Sequence, residues 1–370
     1  MSKLEAFIKA GKNESLVVGP VERYLITKSK KSGNSHRWGL YPSEICKTDW
    51  CPRQSYYRLS DEPFEEPTTT RSRFPLDKIF AEGNESGRRW QNWLWEMKVL
   101  WGEWECLFCK NRWMDNSPDQ CPFCRVEGKE LLRYKEIPLE DKEHIIVGHA
   151  DGGLGEFGVL VENKTVGKGT IRIEEPDLLK THTYQVNNKT VYDLESIWKE
   201  LRRPFASHMK QGQIYLHMRS EANPEVLFDE RIVFVYDFKQ DQTTKEFVVR
   251  YNPKIIEDIL SSCLDIKQSL ELKQPPSRPI WASVDNSTCK GCVYMKTCWD
   301  INDENIGTIT SSNTSKGRTR ARKTTPTRAT PIQVPEITLE LNGLDGHGSD
   351  ELIRPTNSIH KLLRGPTRSI

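Results

Sequence analysis

"GHADGGLGEFGVLVENK" occupies residues 148–164. Its end, "VLVENK", is a short apolar run of the kind that forms a strand buried on both faces. The run stops in Glu162 and Lys164, and Asp151 stands upstream in a glycine-rich turn. A charged pair closing an apolar strand is costly unless it is paired or binds a metal ion. Residues two apart on a strand share a face, so Glu162 and Lys164 point the same way. Glycines around Asp151 let backbone and a phosphate approach closely. Magnesium and manganese take oxygen ligands, which Asp151 and Glu162 supply, and the Asn163 backbone carbonyl can join them. Such a cation polarises a phosphodiester and lowers the pKa of an attacking water. Lys164 then stabilises the hydroxide or the charge that develops on phosphorus. Taken alone, D-x10-E-x-K arises often by chance, and Glu162 with Lys164 also fits an exposed cross-strand pair.

The surrounding 370 residues are 36% hydrophobic and 29% charged, as in a soluble protein with a real core and some unfolded remainder. No run approaches the ~20 apolar residues of a membrane span. The N-terminus lacks a continuous apolar stretch, so no secretory signal is expected and a cytoplasmic setting is. In such a reducing setting ten cysteines read as ligands rather than disulfides. The net charge of +2 is uneven: residues 308–370 carry ten Lys and Arg against five Asp and Glu. A nucleic-acid partner would therefore be held by local basic patches or by that tail.

Periodicity sets the organisation. Residues 1–40 form a polar segment, 41–59 turn helical at their end, and 60–75 read as a linker. Helical spacing covers 77–101, weakened in its first half by Gly83 and Gly87. Strands are expected over 131–138, 144–150, 157–164 and 168–173, and a helix over 190–219. Two further strands (231–239 and 246–252) precede an amphipathic helix over 253–272 that starts with a proline. From 303 to 370 the chain is basic, Thr-rich and of low complexity, which predicts disorder. The order of elements predicts an α/β fold with a central mixed β-sheet flanked by helices.

Two cysteine sets carry their own chemistry. Cys106, Cys109, Cys121 and Cys124 form C-x2-C-x11-C-x2-C, which delivers four thiolates in a tetrahedron and suits Zn2+. The turn-rich loop between the pairs has no core of its own, so metal binding must supply its folding energy. Four protein ligands close the site to catalysis. This zinc-ribbon-like insert, 102–128, braces the fold or contacts nucleic acid or a partner. The second set, Cys289, Cys292 and Cys298, needs a fourth ligand, for which Cys51 and Cys46 are candidates. Cys263, on an apolar helix face, reads as core. Zinc and an iron–sulfur cluster both accept four cysteines.

"CPRQSYY", "GHADG", "VLVENK", "QGQIYLHM" and "CKGCVYMKTC" follow one another in that order between residues 41 and 300. In this the chain resembles the RecB-like nucleases of the PD-(D/E)XK superfamily, in particular the CRISPR-associated iron–sulfur exonucleases and their phage-borne relatives. The resemblance implies a restriction-endonuclease-like core over 41–300. It implies Asp151 and Glu162 as ligands of Mg2+ or Mn2+, Lys164 as catalytic lysine, and Gln211 and Tyr215 as a Q-x3-Y motif. It further implies Cys51, Cys289, Cys292 and Cys298 as ligands of a 4Fe-4S cluster that clasps the two ends of the domain. The expected activity is hydrolysis of DNA from single-stranded ends, in phage or prokaryotic recombination, repair or processing, with recombination or replication proteins as possible partners. One departure stands out. Where the family places a metal-binding histidine, four residues after a glycine, "EGNESGRRW" has Gly87. Either Glu82 or Glu85 substitutes, or a water does, or activity is weakened, and a nucleic-acid-binding protein without catalysis is the rival expectation. The zinc-type insert is not general in the family and points to a specialised branch. Lys239 is a candidate second phosphate contact, His149 reads as a packed histidine, and the tryptophans of 90–104 read mostly as helix core.

Overall fold

A computed structural model describes residues 17–32, 38–62, 74–155, 158–222 and 229–300. The chain divides into two units, Met1–Ser311 and Ser312–Ile370, and every described residue belongs to the first. The tail from 303, most of the 60–75 linker and residues 1–16 lie outside the described residues.

Four helices come first: α1 (Val18–Ser32), α2 (Pro42–Ile45), α3 (Pro52–Leu59) and α4 (Phe74–Glu96). Seven strands follow: β1 (Leu100–Cys106), β2 (Arg112–Asn116), β3 (Leu132–Tyr134), β4 (Ile137–Asp141), β5 (Ile146–Ala150), β6 (Gly152–Leu154) and β7 (Leu160–Val166). Then come α5 (Lys168–Glu174), α6 (Pro176–Thr181), the hairpin β8 (Thr183–Val186) and β9 (Lys189–Tyr192), α7 (Leu194–Glu200) and α8 (Ala206–Ala222). β10 (Arg231–Phe238), β11 (Thr244–Arg250), α9 (Glu257–Leu272), α10 (Ser287–Lys290) and α11 (Met295–Trp299) complete the described chain.

The central sheet has seven strands in the order β11-β10-β7-β6-β1-β2, with β3 also paired to β1. It is mixed: β7 and β10 run parallel, from Ile232 opposite Leu160 to Phe238 opposite Val166, and the other pairs are antiparallel. A parallel pair needs a long crossover, and α5 to α8 supply it. Side chains alternate strictly across β10. Ile232, Phe234, Tyr236 and Phe238 enter the main core, while Val233 and Val235 form a second cluster with Val161 and Trp90. By the same alternation Leu160, Glu162 and Lys164 face the main core side of β7. Helix α8 packs on that side and is buried continuously from Gln211 to Leu216, with its polar side chains bonded inside: Gln211 to Glu162 and Tyr215, and Gln213 to the Arg250 carbonyl. Gly212 permits its close approach: a Cβ there would stand 2.5 Å from Phe234 Cζ.

Several sequence expectations need correction. Gly83 and Gly87 do not weaken α4, which is continuous. Their propensity cost of about 1 kcal/mol each is offset by anchoring to β10. Asp237 accepts bonds from Ser86 Oγ (2.6 Å), Trp90 Nε1 (2.9 Å) and Arg89 (3.1 Å). The helix also stops before Leu100 and Trp101, because Lys98 takes a left-handed φ of 62° and turns the chain into β1. Residues 168–173, expected as a strand, are helix α5; of the alternating isoleucines only Ile171 is buried and Ile173 is exposed. The expected helix over 190–219 is broken. Asn187 and Asn188, both with positive φ, make the tight turn of a hairpin; Asp193 caps α7, and a break containing Pro204 precedes α8. Finally, β1 and β2 of the cysteine-rich stretch are strands of the central sheet.

Candidate active site

The β4–β5 hairpin delivers Asp151 to the edge of β7. Asp151 follows β5 directly, and its Oδ2 accepts the Asn163 amide at 2.7 Å. Its own amide points at Glu162 Oε2, 3.5 Å away. Glu162 is 3% exposed, and its Oε1 accepts Lys164 Nζ at 2.7 Å and Gln211 Nε2 at 3.2 Å. Gln211 also donates to the Tyr215 hydroxyl at 2.9 Å. Asp151, Glu162, Lys164, Gln211 and Tyr215 therefore meet in one place, drawn from a turn, a strand and a helix. Glu162 and Lys164 form a buried pair, not the exposed cross-strand pair that chance would give.

Charge is concentrated here. Burial, and then the neighbouring Glu162, push the Asp151 carboxyl well above the usual range. Burial pulls Lys164 down, but Glu162 and Asp151 outweigh it, so its ammonium is held above the ordinary lysine value. Glu136, which sequence reading missed, belongs to the same field. Pairing of Ile137 with Ala150 sets it across from Asp151, and burial followed by Glu162 raises it to about 7. Asp151 and Glu162 share the Lys164 ammonium, while Glu136 has Lys135 as its cationic neighbour. Buried oxygens that repel one another in this way fit a divalent cation, which would relieve the repulsion.

Helix α4 closes the site from the other side. Gln91, a second residue missed in the sequence, donates its amide to the Asp151 carbonyl at 3.0 Å. Gly87 lies one turn earlier on the same stripe of α4, and a Cβ at Gly87 would meet nothing within 4 Å. Neither glutamate proposed as a substitute turns inward: Glu82 pairs with Lys239 at 2.8 Å and Glu85 with Arg88 at 2.6 Å. Lys239 is thus held by Glu82. His149, expected to be packed, is exposed, the single exposed position on an otherwise buried β5. Of the tryptophans, Trp95 and Trp104 are buried while Trp93 is 46% exposed.

The two cysteine sets are assembled differently. Cys106 Sγ and Cys124 Sγ are 3.7 Å apart and Cys109 Sγ and Cys121 Sγ 3.6 Å, with all four sulfurs within 4.8 Å of one another. A tetrahedral ion with Zn–S bonds of ~2.3 Å spaces its sulfurs by about 3.8 Å, so the set fits one such ion. The Cys109 amide and Asn111 Nδ2 point at these sulfurs, as second-layer donors to thiolates do. The other set joins the start of α3 to the last described segment, around α10 and α11. Cys51, Cys289, Cys292 and Cys298 line one cavity, while Cys46 is buried in the core. Among the described residues this second set is not one whose donor atoms all fall within 4.8 Å. A polynuclear cluster holds its thiolates further apart than a single ion does, and four half-buried cysteines around one cavity fit that wider cage. Arg53 donating to the Pro276 carbonyl (2.9 Å) and Tyr57 against Tyr294 hold the same clasp without metal. Cys263 is fully buried in the core.

A third group was not foreseen. Asp141 Oδ2 is 2.6 Å from His144 Nδ1 and 3.2 Å from His217 Nε2, all three buried or nearly so. Burial works against the Asp141 carboxylate, but hydrogen bonds from His217 and His144 hold it well below the usual range. The group ties the β4–β5 hairpin to α8, and its donor atoms lie close enough to hold a metal ion.

No protein-family model matches the chain, and no curated protein does. Among solved structures, the crystal structure of SSO0001 is similar with a TM-score of 0.33 and 13% identity, over 74% of this chain and 94% of that one. An alkaline exonuclease, LHK-Exo from Laribacter hongkongensis, is similar with a TM-score of 0.24 and 17% identity, over 38% of this chain and 57% of that one. Likenesses this distant carry neither a fold nor a function across.

Proposed function

We propose that the chain is a metal-dependent deoxyribonuclease that hydrolyses phosphodiester bonds, acting as an exonuclease on single-stranded ends. The observation that carries this reading is the meeting of Asp151, Glu162 and Lys164 with the Gln211–Tyr215 pair in one buried, charge-dense site. Asp151 and Glu162 would hold Mg2+ or Mn2+, with Glu136 beside them. When bound, the cation polarises the phosphate and lowers the pKa of water. Lys164 is kept charged by its two carboxylate neighbours and offers its ammonium to the attacking hydroxide or to the negative charge on the phosphate. Gln211 fixes the Glu162 rotamer through Oε1, and Gln91 fixes the Asp151 backbone. Exonuclease action, DNA rather than RNA, phage origin and a host-cytoplasmic setting rest on the family resemblance. So do a 4Fe-4S cluster in the Cys51 set and the nuclease domain over 41–300, whereas Zn2+ in the Cys106 set rests on the paired C-x2-C spacing and the closeness of its four sulfurs.

A second reading is favoured by Gly87 alone. With no side chain there, the site holds one ligand fewer than the family pattern, and a protein that binds nucleic acid without cutting it would tolerate that. End-labelled single- and double-stranded DNA with Mg2+ or Mn2+, tested with wild type beside Glu162→Ala, separates the two. Metal-dependent cleavage lost in the variant supports the nuclease. Absence of cleavage by folded, metal-loaded wild type turns the assignment to the binding protein.

A further inference from the structure

A cleft of about 340 Å³ separates α4 from the segment that returns from the cysteine-rich loop to the sheet. Arg88, Gln91 and Asn92 line it from the helix; Lys129, Arg133 and Tyr134 line it from the returning segment. The three cations stand on opposite walls. Each is exposed; Arg88 and Lys129 are joined to exposed acids, Glu85 at 2.6 Å and Glu96 at 3.6 Å, and Arg133 more loosely to the half-buried Glu105 at 3.8 Å. Exposed pairs of this kind are worth at most about 1 kcal/mol, so a phosphate competes with them readily. Glu130 is the one acid in the lining.

Two residues link the cleft to the carboxylates. Gln91 lines it and at the same time donates to the Asp151 carbonyl. Tyr134 also lines it, donates its hydroxyl to the Trp101 carbonyl at 3.0 Å, and lies within the fields of Asp151 and Glu136. Its floor is apolar and aromatic, with Trp95 beneath Lys129. Aromatic floor, polar amides and cations on both rims are what an unpaired nucleic-acid strand uses: stacking for bases and charge for the backbone.

We propose that this cleft is the track along which a single nucleic-acid strand reaches Asp151 and Glu162, with Arg88, Lys129 and Arg133 on its phosphates. The inference rests on the nuclease reading only in taking that strand to be the substrate. It also accounts for the cysteine-rich segment, whose metal knuckles hold the wall that carries Lys129 and Arg133.

The test is binding of fluorescein-labelled oligo-dT of about 20 nucleotides by anisotropy in Ca2+, from low to high salt. Wild type is compared with Arg88→Gln/Lys129→Gln/Arg133→Gln. A control replaces three exposed cations elsewhere, Lys180→Gln/Lys189→Gln/Lys254→Gln. Losing three phosphate contacts lowers the slope of log K against log salt by about 2, at ~0.7 per contact on a single strand. The cleft variant is expected to show that loss and at least tenfold weaker binding at low salt, while the control keeps the wild-type slope. Melting temperature and bound metal confirm that both are folded, and Arg133→Gln alone, with a slope change of about 0.7, serves if the triple variant is not. Wild type that fails to bind, a cleft variant with the wild-type slope, or a control that loses as much overturns the track. Cleavage by wild type with Mn2+ is read in a separate reaction and bears on the nuclease reading alone.

Discussion

A site built of mutually repelling carboxyls destabilises the protein that carries it until a cation arrives. Asp151→Asn isolates this effect. The asparagine keeps an oxygen for the Asn163 amide, now met by Asp151 Oδ2 at 2.7 Å, and adds an amide donor beside Glu162. Two like unit charges about 4 Å apart at an effective dielectric of 20 repel by about 4 kcal/mol. The Glu162 charge adds to burial in pushing the Asp151 carboxyl up, so the two groups do repel, and Lys164 offsets much of the repulsion. A residual gain of about 1 kcal/mol is typical when a functional charge is removed. For a body of this size it corresponds to a melting temperature higher by about 2–4 °C. With Mn2+ at about a hundred times its dissociation constant, wild type gains about 2.7 kcal/mol and the variant far less, so the order reverses. Thermal unfolding is followed in resin-treated buffer with and without Mn2+; a strong chelator is avoided because it would strip the cysteine-bound metal. A variant that melts below wild type without cation, or equal shifts of both by Mn2+, refutes the reasoning.

Cys121→Ser should release one metal ion per chain and disorder the surrounding loop, while Cys298→Ser should abolish absorption in the visible range and leave that ion in place; elemental analysis with absorption spectra checks both. A colourless wild type carrying only zinc would end the iron–sulfur assignment without touching the nuclease site. Asp141 is held below its unfolded pKa of ~3.9, so its share of stability is present above that value and lost as pH falls through the folded one. Asp141→Asn should therefore cost about 2–3 kcal/mol at pH 7, a gap that narrows below about pH 4 in denaturant titrations. Gly212→Ala drives a Cβ to 2.5 Å from the buried Phe234 ring and should cost about 1–3 kcal/mol in the same assay; a neutral result would mean that α8 lies further from β10.

What could be read from the sequence was what spacing encodes. The i, i+2 relation of Glu162 and Lys164, the i, i+4 relation of Gln211 and Tyr215, and the paired C-x2-C knuckles are local, and each places its side chains together in the structure. The mixed sheet with flanking helices was legible from the order of apolar runs. Errors arose where a local pattern competed with a distant contact. "TIRI" alternates like a strand, but Ile173 has no sheet to face because the chain must cross over to reach β10. The glycines of α4 look disruptive until Asp237, some 150 residues away, is seen to anchor the helix. Only "VNNKT" carried a readable hairpin signal that was passed over, since adjacent asparagines tolerate positive φ.

Glu136 and Gln91 show why the site itself was only partly legible. Neither lies in a motif, and each reaches Asp151 through pairing that no residue spacing reports. Glu136 arrives through the antiparallel register of β4 on β5, Gln91 through the docking of α4. Gly87 was legible as a gap because the sequence around it matched a pattern. The gap is real in space, since nothing occupies the volume beside it, and the two glutamates next to it are engaged elsewhere. The carboxyl that does adjoin the site comes from the opposite direction, at a half-buried position where burial, and then Glu162, push it up to about 7. The ligand missing on the helix side is thus faced by a carboxyl on the hairpin side. That arrangement is visible only once the strands are paired.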